Sequence, residues 1–193
     1  MTFPQRDTLS HTYAEYLTWP EGAPYELIDG TAYVKEPAPL RPHQELVGEL
    51  YHLVRLALQG KPYRAYVAPL DVRLPRGEEA DDLVDTVVQP DVLIVCDLTK
   101  LDRLGIRGAP DWLAEVLSPS TARYDRNLKV RAYERAGVRE VWLIHPIDRV
   151  LSIHRLQGAQ YGEPAVVGLK GRVSIDAVPG VTIDLDVLEA ALL

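Results

Sequence analysis

Two carboxylates set in apolar runs, and a lysine on the helix that follows, are the residues of this sequence whose types and spacing could do chemistry. Asp91 follows Pro90 at the head of Val92-Leu93-Ile94-Val95, and Glu115 sits inside Trp112-Leu113-Ala114-Glu115-Val116-Leu117. Lys129 falls in the stripe Asp125, Leu128, Lys129, Ala132, Tyr133, Ala136, whose three- and four-residue steps mark one face of a helix. Ionisable groups in such settings are costly unless they pair or bind a metal. Hard cations such as Mg²⁺ take oxygen ligands, keep several waters, and use one or two carboxylates plus substrate phosphate oxygens. Two acids and a lysine therefore suffice for metal-assisted phosphodiester hydrolysis. The cation polarises the phosphate and acidifies the attacking water, and the lysine offsets charge developing on the transition state. The reading is that Asp91 and Glu115 ligate Mg²⁺ or Mn²⁺ and act with Lys129 in catalysis. Plainer roles stay open: Asp91 as a solvent-facing strand start, Glu115 in a structural ion pair with Lys129, and Lys129 snorkelling from a helix edge.

The elements that must position these residues follow from periodicity. In a strand, Asp91 shares a face with Leu93 and Val95, and Glu115 with Leu113 and Leu117. Upstream, a short helix is predicted over residues 13–17, and residues 25–35 read as a hairpin turning at Asp29-Gly30, a dipeptide suited to the positive φ values of a type I′ turn. Leu46, Val47, Leu50, Leu53, Val54, Ala57 and Leu58 recur at helical spacing, predicting an amphipathic helix over 43–58 that packs on a sheet. Strands are predicted at 63–67, 70–74, 90–96 and 112–117, with 100–108 as a connection, and a helix over 123–136 stops at Gly137. Strands at 140–145 and 150–156 form a second hairpin, and a β tail with a short apolar end closes the sequence. The order implies an α/β domain with a central mixed sheet flanked by helices.

Composition narrows the classes. The 193 residues, 47% hydrophobic, fit a single domain over 1–193. No apolar run approaches a membrane span and no signal segment opens the chain, so no membrane partner and a cytoplasmic location are expected. The lone Cys96 lies in an apolar run and reads as a buried filler. A net charge of −7 argues against nonspecific coating of nucleic acid, which depends on neutralising phosphates. It leaves room for a local basic face, and Arg123, Arg126, Lys129, Arg131, Arg135 and Arg139 concentrate around the predicted helix. Glu78, Glu79, Asp81, Asp82 and Asp85 read as a solvated acidic loop, and Asp71 as a partner for the neighbourhood of Arg73.

At its chemical residues the sequence resembles the PD-(D/E)xK nuclease superfamily, and within it the Uma-type restriction endonuclease family. Pro90-Asp91 is similar to the PD element, and Glu115-Val116-Leu117 to the (D/E)xK element with leucine where lysine is usual. The run Glu115-Val116-Leu117-Ser118-Pro119-Ser120-Thr121, then Asp125, Lys129, Tyr133 and Ala136-Gly137-Val138, then His145-Pro146, resembles the Uma pattern with its lysine moved to the helix. Tyr25-Glu26-Leu27-Ile28-Asp29-Gly30 and Pro42-His43-Gln44 extend the likeness over about 15–186. The resemblance implies a restriction-endonuclease-like core with an added β-hairpin and β tail, a divalent metal, DNA as substrate, and a homodimer. It implies Glu26 as a further acid of the catalytic site, although a glutamate on a hairpin strand is commonly only its polar face. His43 at a helix start and Arg126 in the basic region are the substrate-binding candidates, with plain solvation of the helix N-terminus as the other reading of His43. The implied function is a metal-dependent DNA endonuclease. The alternatives are a noncatalytic binding or scaffold protein on the same fold, and a metal-dependent hydrolase acting on RNA.

Overall fold

The structure, a computed structural model, describes residues 9–20, 25–34, 40–117 and 125–192. The chain begins with a short helix, α1 (Tyr13–Tyr16), and a hairpin of β1 (Tyr25–Ile28) and β2 (Thr31–Val34). The long helix α2 (Arg41–Ala57) precedes strands β3 (Arg64–Val67), β4 (Val72–Arg73), β5 (Val87–Val88) and β6 (Val92–Val95). Then come β7 (Leu101–Asp102), β8 (Gly105–Arg107), β9 (Trp112–Val116), helix α3 (Asp125–Ala136) and β10 (Glu140–His145). Strands β11 (Val150–Gln157), β12 (Gln160–Tyr161), β13 (Ala165–Gly168), β14 (Arg172–Ser174) and β15 (Thr182–Asp184) lead to helix α4 (Leu185–Ala190).

These strands build a large mixed sheet in the order β12-β11-β10-β9-β6-β3, with β13 also pairing β11. Its centre is the parallel pair β9 and β10, a pairing that requires a crossover, which α3 supplies. Strand alternation gives the sheet two apolar faces. Val92, Ile94, Trp112, Ala114 and Val116 pack under Leu46, Val47, Leu50 and Val54 of α2 and Leu185 and Leu188 of α4. Leu93, Val95, Leu113, Val141 and Leu143 pack under Ala132 and Tyr133 of α3 and against Ile28, Val72, Val88 and Ile106. Those last residues belong to a second sheet of six strands, β2-β1-β5-β4-β8-β7, which lies on the α3 side.

The expected α/β architecture is present, with the hairpin turn as read: Asp29 and Gly30 both have positive φ, 51° and 73°. Gly137, at φ 82°, ends α3, and the Val138 amide reaches back to the Tyr133 carbonyl. The second sheet differs from expectation. Its strands β4, β5 and β7 are two residues long, too short to show a period, and residues 101–107 form a hairpin in place of a plain connection. The acidic loop is also more than solvated surface: Asp81 pairs with the fully buried Arg73 and with Arg107, and Asp85 pairs with Arg76. Arg73 also holds Asp102 at 2.5 Å and stands over the Tyr13 ring, so its carboxylates are not Asp71. Cys96 is half-buried, not fully buried, and burial pushes its thiol up to about 12.

Candidate active site

Register brings the two acids together. Strands β6 and β9 run antiparallel with Val92 opposite Ala114 and Leu93 opposite Leu113, so one step beyond the ladder Asp91 lies across from Glu115. Both belong to the face covered by α3, the parity of Leu93 and Leu113. The Asp91 backbone is held at that strand end by its carbonyl, which accepts the Ala68 amide at 3.0 Å. Its side chain crosses to β9: Oδ2 accepts the Val116 amide at 2.8 Å, immediately after Glu115. His43, in the first turn of α2, brings Nε2 to 3.3 Å from the same oxygen.

Helix α3 reaches Glu115 from above with two side chains one turn apart. Lys129 Nζ is 2.7 Å from Glu115 Oε1, and the Tyr133 hydroxyl donates to that oxygen at 2.5 Å. Lys129 also donates to Glu26 Oε1 at 3.0 Å, which ties the second sheet to the first. Glu26 shares its face of β1 with Ile28, and the same Oε1 accepts the Gln89 amide at 2.8 Å. Gln89 has a second task, since its side-chain Nε2 donates to Asp71 Oδ1 at 2.7 Å, where Tyr16 also donates at 3.1 Å. Asp71 is thus fixed by Gln89 and two tyrosines, the second being Tyr13 at 3.4 Å.

The site is deep. The side chains of Glu26, Glu115, Lys129 and Asp91 are between 9% and 17% exposed. Burial pushes the Glu115 carboxyl up to about 7; Lys129 opposes that shift, and the neighbouring Asp91 and Glu26 charges reinforce it. Burial alone would lower Lys129, but the Glu115 and Glu26 carboxylates outweigh it and its pKa is raised. The two partners thus both tend to keep a proton. Lys129 is the firm cation, because several acids surround it, and Glu115 is the member whose charge is in balance. Tyr133 is raised well above the ordinary tyrosine value by burial and then by Glu115, which keeps its hydroxyl a donor.

Each acid therefore has one oxygen engaged and one without a hydrogen-bond partner among the described residues: Oδ1 of Asp91 and Oε2 of Glu115. Two carboxylates offering hard oxygens fit Mg²⁺ or Mn²⁺, ions that complete their shell with water and phosphate. Among the described residues no group of three His, Cys, Asp or Glu side chains is arranged to hold a metal.

The family model described as Uma2, "Putative restriction endonuclease", matches residues 13–187. The chain belongs to the Uma2 family. Among solved structures it is similar to a crystal structure described as a "putative nuclease belonging to DUF820" from Anabaena variabilis ATCC 29413. The two share 21% identity at a TM-score of 0.75, over 94% of this chain and 99% of that one, a likeness of fold. No curated protein matches.

The structure brings Asp91, Glu115, Lys129 and Glu26 together, with His43 against Asp91. The Lys129–Glu115 ion pair is also the contact that a purely structural role would make. Arg126 lies within α3, with its side chain outside the described residues, as is that of Asp125; segment 118–124 lies outside them too. Two residues were missed. Tyr133 is four residues beyond Lys129 on the stripe, a spacing that already points both at one target. Gln89, next to Pro90-Asp91, carried no signal, because its amide reaches a strand distant in sequence.

Proposed function

We propose that this chain is a divalent-metal-dependent endonuclease that hydrolyses DNA phosphodiester bonds. The observation that supports this most is the convergence of Asp91 and Glu115, each with an oxygen that has no hydrogen-bond partner among the described residues, beneath Lys129 in a Uma2 chain. Asp91 Oδ1 and Glu115 Oε2 would hold Mg²⁺ or Mn²⁺. When bound, the cation supplies positive charge at the phosphate and a more acidic attacking water. Lys129, a firm cation between Glu115 and Glu26, would offset the charge that develops on the phosphate in the transition state. Glu26 gives the lysine a second carboxylate partner besides Glu115, which would keep the ammonium at the site. His43, and Arg126 on the basic helix, would contact substrate. The same reading carries a single domain over 1–193, a homodimer that presents two sites to two strands, and a cytoplasmic location. Among the described residues no helix is long and apolar enough to cross a membrane.

One observation favours a second reading, a noncatalytic module on the nuclease fold: Lys129 already neutralises Glu115 and Glu26 without any metal. Calorimetric titration of Mn²⁺ into wild type and Asp91→Asn, alone and with duplex DNA, separates the two. Saturable binding that the variant loses supports the nuclease. Silence in wild type under both conditions supports the module and sinks the nuclease reading.

A further inference from the structure

Glu115 Oε1 is gripped from one helix turn, by Lys129 Nζ at 2.7 Å and by the Tyr133 hydroxyl at 2.5 Å. The Tyr133 ring is fully buried among Leu113, Val141, Leu143 and Ala132, where a phenylalanine would pack equally well. Its hydroxyl must be explained by its partner, since a buried hydroxyl without a hydrogen bond is a net cost. That partner is Oε1 of the Glu115 carboxylate, whose Oε2 has no hydrogen-bond partner among the described residues. The two grips are not equivalent, because Lys129 divides its hydrogen bonds between Glu115 and Glu26. Once the ammonium turns toward a phosphate, only the tyrosine still fixes the glutamate.

Resting on the proposed function, we infer that Tyr133 is a positioning residue for the cation: it pins Glu115 Oε1 so that Oε2 is presented as the ligand. Groups that orient metal ligands in this way typically change metal affinity about 10–100-fold when removed. The effect falls on metal occupancy and leaves the chemical step alone.

The test is Tyr133→Phe compared with wild type in two assays, Mn²⁺ titration by calorimetry and DNA cleavage as a function of Mn²⁺. Mn²⁺ affinity is expected to fall at least about 10-fold, with kcat at saturating Mn²⁺ little changed. A merely structural tyrosine would lower the melting temperature of the metal-free protein and leave Mn²⁺ affinity unmoved, which overturns the inference while the nuclease reading stands. Wild type that binds no Mn²⁺, with or without duplex DNA, overturns both. Should the phenylalanine variant not fold, 3-fluorotyrosine placed at position 133 reads the same contact. Its ¹⁹F resonance is expected to move on adding Mg²⁺ to the otherwise wild-type chain and to stay still in Glu115→Gln. A resonance indifferent to saturating Mg²⁺ rules the positioning role out.

Discussion

Lys129 Nζ lies 2.7 Å from Glu115 Oε1 and also reaches Glu26, so one ammonium on α3 serves acids from two different sheets. All three side chains are largely buried, and removing one partner of a buried pair strands the others, at a cost of roughly 3–5 kcal/mol. Lys129→Met should therefore melt well below wild type. Because a cation can take over the neutralising role, Mg²⁺ should raise the melting temperature of the variant more than that of wild type. Identical melting curves for the two proteins, with and without Mg²⁺, would refute the lysine's place at the centre of the cluster.

Asp91 does two jobs that different substitutions separate. Its Oδ2 accepts the Val116 amide, so Asp91→Ala leaves that amide without its partner, at a cost of about 1–3 kcal/mol. Asp91→Asn keeps a carbonyl oxygen for the amide and removes the charge a cation needs. Chemical denaturation should place the asparagine variant near wild type and the alanine variant below it, with Mn²⁺ binding lost in both. Equal loss of stability in the two variants would deny the strand-bridging hydrogen bond.

The pH dependence follows from Glu115, whose carboxyl burial raises from the ordinary 4.5 to about 7. A folded-state pKa above the unfolded one means that the native protein binds more protons in that window. The contribution to stability is complete below the unfolded value and is lost as pH rises through about 7. Metal-free wild type should therefore lose stability relative to Glu115→Gln between pH 4.5 and 7, read as diverging denaturation midpoints. Parallel profiles would mean that Glu115 is ionised in the native protein throughout.

The hairpin that delivers Glu26 turns on Gly30, at φ +73°, where an added Cβ would also meet Ser10 Oγ at 2.6 Å. Gly30→Ala should cost roughly 1–2 kcal/mol from the left-handed backbone alone. A lower denaturant midpoint at unchanged slope is the signature. No change in midpoint would mean that the turn adapts and that the strain is absent.

Much of the site could be read in the sequence because its parts obey short-range rules. Period two put Asp91 and Glu115 on defined strand faces, period 3.6 put Lys129 on the inner stripe of α3, and Asp29-Gly30 announced the turn. What stayed hidden depends on pairings between distant segments. The link from β1 to β5 is one ladder pair, Leu27 with Val87, and no local pattern forecasts it or the Gln89 amide on Glu26 that follows from it. Tyr133 was visible as a stripe member, yet its hydroxyl's role depends on how deeply α3 sits over β9. Asp71 was expected to find its partner in the neighbourhood of Arg73, and it bonds Tyr13, over whose ring Arg73 stands, whereas the carboxylates that hold buried Arg73 itself, Asp81 and Asp102, lie in later segments that no local pattern points to.

Metal-dependent hydrolysis at Asp91 and Glu115 is tested by cleavage of supercoiled plasmid DNA by wild type, Asp91→Asn and Glu115→Gln with Mg²⁺ or Mn²⁺, each reaction paired with one containing EDTA. Nicked or linear product is expected from wild type with metal, and intact plasmid with EDTA and with both variants. Plasmid left intact by folded, metal-loaded wild type, or cut equally by the variants, would contradict it.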